Sequence, residues 1–122
     1  MKTIIKLLLI SLLIGLNACS KDEPDPVSVI ADKWWCDSKN VVLSQYFKSD
    51  GTWEQGSKNG GANNDKGNWT FSIDKKKIIV TNVVGKNQAL KNWEYEIVSS
   101  SSTNLELNFA AFNIKMSMIV CP

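Results

Sequence analysis

The chain has 122 residues, 14 basic against 12 acidic side chains, a formal charge of +2 and no histidine. Every basic residue is lysine, so the guanidinium forks that grip phosphates and base edges are missing, and nucleic acid is not an expected partner. Without histidine, Ser–His and Cys–His nucleophile pairs are excluded, and no Gly-x-Gly-x-x-Gly or phosphate-loop pattern occurs, so neither an enzyme nor a cofactor is expected.

Lys2 and Lys6 precede an apolar run over residues 7–16, and Ala18 supplies the small residue that a signal peptidase requires. The run is shorter than the roughly 20 apolar residues that span a bilayer. Leu16-Asn17-Ala18-Cys19 resembles the lipobox of bacterial lipoproteins. The alternatives are an ordinary secretory signal with a chance cysteine, or a buried core helix. The resemblance implies that residues 1–18 are a signal peptide cut after Ala18, with a diacylglyceryl thioether on Cys19 and a further palmitate-type chain on the new amino terminus. Each buried methylene contributes about 0.8 kcal/mol and stable attachment takes more than one chain, which three chains satisfy. Ser20 stands where an inner-membrane retention signal would place Asp, which implies the outer membrane. Ser20-Lys21-Asp22-Glu23 resembles the acidic export signal of surface lipoproteins in Bacteroidetes. That likeness leaves the periplasmic face and the cell surface both open.

Cleavage would remove two of the fourteen lysines and no acid, leaving twelve of each sign, so the pI of 8.4 belongs to the precursor. Residues 19–30 combine charge and proline and are expected to be a tether. Residues 31–122 are of a size that folds as one small domain.

That domain reads as all-β. A first strand is predicted over residues 33–39 and a second over 41–47, with Ser49-Asp50-Gly51 as the turn into Thr52 and Trp53. Trp69, Phe71 and Ile73 alternate, Asp74-Lys75-Lys76 turns, and Ile78, Ile79 and Val80 resume. Trp93, Tyr95 and Ile97 alternate with Glu94 and Glu96, a period of two with one wet face. Leu105, Leu107 and Phe109 repeat the pattern, as do Phe112, Ile114, Met116, Met118 and Val120. About eight short strands at even spacing predict a small antiparallel up-and-down barrel, whose closure removes exposed edges.

Once Cys19 is lipidated, Cys36 and Cys121 are the remaining thiols in an oxidising compartment. They lie in the first predicted strand and at the end of the last, which are neighbours only if the sheet curls round. A Cys36–Cys121 disulfide would pin the two ends together; two unrelated buried thiols are the alternative. Two distant cysteines without histidine do not match zinc spacings, so no metal is expected.

Lys33-Trp34, the segment Tyr46-Phe47-Lys48-Ser49-Asp50-Gly51-Thr52-Trp53, Gly67-Asn68-Trp69-Thr70-Phe71, and Tyr95-Glu96-Ile97-Val98 before Leu105-Glu106-Leu107 resemble the lipocalin-like domains of Bacteroidetes lipoproteins. Asp32 stands where lipocalins open on glycine, and the domain is shorter than a lipocalin. The resemblance implies a small barrel, many of whose relatives have no established ligand.

Five tryptophans remain to be placed. Trp69 and Trp93 alternate in phase with core residues and can fill a barrel whose interior is only wide enough for side chains. Core filling is the preferred reading for these two; the alternative is that they form stacking faces for a ligand, together with Trp53 and Tyr95. Trp34 and Trp35, being adjacent, must point to opposite faces of a strand. Trp53 adjoins a Gly/Asn-rich loop over residues 56–67 and is a candidate for exposure; the loop can lid a mouth or touch a partner. Two functions therefore stand side by side. One is a carrier of a small apolar or amphipathic ligand. The other is an interaction module with a filled barrel that contacts a protein or glycan through loops and exposed tryptophans.

Overall fold

The computed structural model describes residues 25–86 and 90–122. The readings at Ala18, Cys19 and the acidic segment after it lie outside these residues. The elements in chain order are helix α1 (Pro26–Ile30), strands β1 (Trp34–Asp37), β2 (Ser44–Phe47), β3 (Thr52–Gly56), β4 (Asp65–Phe71), β5 (Lys77–Val84), β6 (Trp93–Ser100) and β7 (Asn104–Phe109), a 3-10 turn (Ala110–Phe112) and β8 (Ile114–Val120). Each strand pairs antiparallel with the next, and β1 pairs with β8, so the sheet closes into the expected eight-stranded up-and-down barrel. Cys36 and Cys121 are bonded across that seam, their Cα atoms 5.0 Å apart and 85 residues apart in sequence.

In such a meander successive connections alternate between the two ends. The turns β2–β3, β4–β5 and β6–β7 lie at one end with α1, which we call the closed end. The longer connections β1–β2, β3–β4 and β5–β6, with the short β7–β8 link, lie at the other, the mouth.

Inward positions alternate as period two requires: Trp35 on β1, Gln45 and Phe47 on β2, Ile78 and Val80 on β5, Tyr95 on β6, Leu105 and Leu107 on β7, and Met116 and Met118 on β8 are all buried. Trp35 points in with no exposed surface, while Trp34 packs outside against Tyr46, ring centroids 5.2 Å apart. Trp53, a candidate for exposure in sequence, is instead 1% exposed.

Five boundaries differ from the expectation, most of them for a local reason. Residues 26–30, read as the end of the tether, form α1: the Asp25 carboxylate accepts from Val27 N–H at 3.1 Å, proline occupies the first turn, and Ile30 is fully buried. Residues 41–43 leave the sheet because the Asp37 carboxylate takes the N–H groups of Val41 and Val42, at 2.6 and 2.9 Å, that a strand ladder would use. Ile73 is fully exposed in the β4–β5 turn, where Asp74 accepts from the Ser72 hydroxyl at 2.6 Å and Lys76 N–H at 3.0 Å. Phe112 lies in the 3-10 turn, which Asn113 ends in a left-handed conformation at φ 51°. β4 also begins at Asp65, so the loop expected over 56–67 is reduced to residues 57–64.

At the closed end the indole N–H of Trp35 donates to Ile30 O at 2.9 Å and that of Trp69 to Lys48 O at 2.7 Å. These bonds tie α1 and the β2–β3 turn to the barrel floor.

Candidate ligand cleft at the barrel mouth

The mouth holds a cleft of about 350 Å³. One wall is the β1–β2 connection, which carries Val41, Val42 and Leu43. The Asp37 carboxylate holds that loop through the backbone N–H groups of Lys39, Val41 and Val42. Burial works to raise the Asp37 pKa, but these three donors and the Lys39 charge outweigh it and hold it below the ordinary carboxylate value. Leu90 stands on the second side, and Phe109 and Phe112, 5.0 Å apart edge to face, form the third. Gln55 is the one polar side chain of the lining, and its amide donates to the buried Asp65 carboxylate at 2.9 Å.

The floor is aromatic. Trp93 lines the cleft and packs edge to face on Trp53 at 5.2 Å and tilted on Phe109 at 5.9 Å, and Tyr95 meets Phe109 at 5.1 Å. Below this layer the barrel is filled, with Trp53 donating to Gln45 Oε1 at 3.1 Å. Burial pushes the Tyr95 phenol far above its ordinary pKa, and the Gln45 and Trp93 side chains pull only partly back, so it stays neutral. Trp93 Nε1–H is buried without a partner of hydrogen-bond geometry, the one such side-chain group among the described residues.

Of the four residues proposed for a ligand, Trp93 reaches the cleft. Trp53 and Tyr95 lie in the packed layer beneath it, and Trp69 sits at the closed end between Phe47 and Phe71, 5.3 and 5.2 Å away. The loop over 57–64 does not cover the mouth. Asn64 accepts from Ser57 N–H at 2.8 Å and donates to Ser57 O and Glu54, folding the loop back so that Asn59 and Gly60 lie with Trp34 and Tyr46 along an outer groove. Lys58 then reaches the Pro122 carbonyl.

Val41, Leu43, Leu90 and Phe112 were not among the residues read in sequence as ligand-binding. All four are exposed large apolar side chains, from 41% for Leu90 to 64% for Val41, and all lie on the mouth connections. Exposure is invisible to strand periodicity, which reads such residues as core. Larger grooves of about 490 and 480 Å³ lie outside the cleft, one between the β3–β4 and β5–β6 connections beside Asn64, Lys66 and Lys86, the other on the outer wall beside Ser72 and Lys77. They take no part of the barrel's buried aromatic layer, whereas the mouth cleft rests on it. No three His, Cys, Asp or Glu side chains among the described residues come together as a metal site.

No family model and no curated protein matches the chain. A solved structure, the NMR structure of a protein from Bacteroides uniformis ATCC 8492, is similar in fold with a TM-score of 0.50 at 20% identity, over 75% of this chain and 87% of the other. At that identity the likeness shows a shared small antiparallel barrel.

Proposed function

We propose that the protein is a lipid-anchored outer-membrane lipoprotein whose lipocalin-like barrel carries a small apolar or amphipathic ligand in its mouth cleft, without catalysis. The observation that carries the carrier reading is the cleft itself. Its volume of about 350 Å³ lies within the roughly 300–1,000 Å³ of ligand pockets, and apolar walls with a single polar side chain are the usual lining of such sites. The anchor rests on the lipobox resemblance at Cys19, and the absence of histidine supports a non-catalytic role.

Native mass spectrometry of the protein purified from its own host tests the carrier function. The expected result is a mass above that of the protein that disappears on denaturing extraction; a bare native mass from envelope material would overturn it. Feeding cells an alkyne-tagged fatty acid tests the anchor separately: label on the wild type and none on Cys19→Ser is expected, and an unlabelled wild type would remove it.

The filled interior favours a second reading. Trp35, Trp53, Tyr95 and Phe47 are each at most 1% exposed and leave only the mouth layer open. A shallow apolar rim also suits contact with a protein or glycan, and a bare native mass would turn the search in that direction.

A further inference from the structure

The two ends of the barrel differ in charge. The described parts of the connections framing the cleft, residues 38–43, 90–92 and 110–113, contain Lys39 and Lys91 and not one Asp or Glu, and Lys86 stands beside a neighbouring groove. Lys115 follows as the second residue of β8 and is exposed. The acids nearest this end are already engaged. Asp37 accepts three backbone N–H groups, Asp65 is buried and accepts from Gln55, and Glu94 pairs on the outer wall with Lys77 at 3.4 Å. Among the described residues no acid lies within ion-pair distance of Lys39, Lys86, Lys91 or Lys115. The closed end mixes its signs instead: Asp32 adjoins Lys33, Asp50 follows Lys48, and Asp74 precedes Lys75 and Lys76.

We infer that the cleft takes an anionic amphiphile with one short apolar body, free in the aqueous phase, whose head group stays at the lysine rim while the body enters over Phe112 onto Trp93 and Phe109. This rests on the carrier reading above. The direction of entry follows from the lining, because an ionised head inside would lose its hydration with no cation beside it. At the rim the head keeps its water and gains the attraction of Lys91, which no described acid pairs, and of Lys39, whose charge is shared with Asp37. Lys39 and Lys91 each stand within two residues of a lining side chain, Val41 and Leu90. A cationic head would meet repulsion at the same place, and a neutral one would gain nothing from it. The small volume sets one chain or ring rather than two.

The test compares decanoate, decanol and decyltrimethylammonium, below micelle-forming concentrations, by quenching of tryptophan fluorescence in the full chain. Decanoate is expected to bind about tenfold tighter than the cation at low salt, with the preference shrinking severalfold at about 0.5 M salt. The exposed double variant Lys39→Gln/Lys91→Gln is expected to lower decanoate affinity about three- to tenfold and leave decanol unchanged, as two solvent-screened charges would. Equal binding of all three heads would overturn the charge inference and leave the carrier reading standing. Failure of all three to bind would remove both. A response to anionic phospholipid vesicles without one to free decanoate would overturn the aqueous source and assign a bilayer lipid instead.

Discussion

The closed end and the mouth of this barrel are built from the same strands, yet they satisfy their polar groups differently. At the closed end the two buried indole N–H groups each have a carbonyl: Trp35 donates to Ile30 and Trp69 to Lys48. Ile30 is buried there, and the turns are short. At the mouth Trp93 has a buried N–H without such a partner, and Val41, Leu43, Leu90 and Phe112 face water. A buried unpaired donor costs free energy and an exposed apolar ring gains none, so the mouth gives up stability that the closed end keeps. The difference teaches that this fold leaves its exposed apolar side chains at the mouth and its better-satisfied indoles at the closed end.

The largest expected effect comes from removing what both ends share. Replacing Cys36 and Cys121 with alanine opens a loop that spans a sequence separation of 85, and the chain-entropy account puts the loss at about 4.6 kcal/mol. Chemical denaturation would measure it, and a loss under about 1 kcal/mol would mean that the hydrogen-bonded seam between β1 and β8 suffices.

An intermediate effect is expected at Asp37, which holds one wall of the mouth. Losing its hydrogen bonds in Asp37→Ala is expected to cost about 2 kcal/mol. Because the folded pKa lies below the unfolded one, the contribution is complete above the unfolded value of about 4 and is lost as pH falls through the folded value. Asp50 and Asp74, at the closed end, have pKa values lowered mainly by hydrogen bonds from Thr52 and Ser72, so the wild type loses stability in acid at both ends. Thermal melts of wild type and variant from pH 6 to pH 2.5 would separate them. The gap between the two should narrow in acid, and a constant gap would show that the Asp37 carboxylate does not hold the loop by charge.

The smallest effects give the sharpest contrast between the ends. Trp69→Phe leaves Lys48 O without its donor and is expected to cost about 1 kcal/mol beyond the lost packing, whereas Trp93→Phe deletes a donor that has no carbonyl partner and acts only on the Tyr95 phenol, and should cost less than Trp69→Phe. Equal losses would show that the two indole N–H groups are equally well satisfied.

Most of the scaffold was legible in sequence because period-two patterning and turn residues act locally. Trp93-Glu94-Tyr95-Glu96-Ile97 reads correctly from alternation alone, and the positions of Cys36 and Cys121 imply the ring closure. The cleft was legible in part. Trp93 was among the ligand candidates, but nothing local separates it from Trp53 or Trp69, since depth along a barrel depends on register with strands far away in sequence. Val41 and Val42 read as strand because their residue types favour it, and the decisive fact, a carboxylate at Asp37 taking their amides, is a side-chain choice that propensity does not see. Pro26 read as tether because a helix of five residues has too little pattern to recognise and forms here by packing Ile30 into the barrel floor.

The bond between Cys36 and Cys121 also governs what a protease can do to this molecule. Every connection at the mouth falls between those two cysteines in the chain. A single cut in the 57–64 loop, or in any other rim segment, therefore leaves two fragments still covalently joined and still paired in one sheet. Under oxidising conditions the barrel can be nicked where it is most accessible without being shed in pieces, and the damage becomes visible only when the disulfide is reduced.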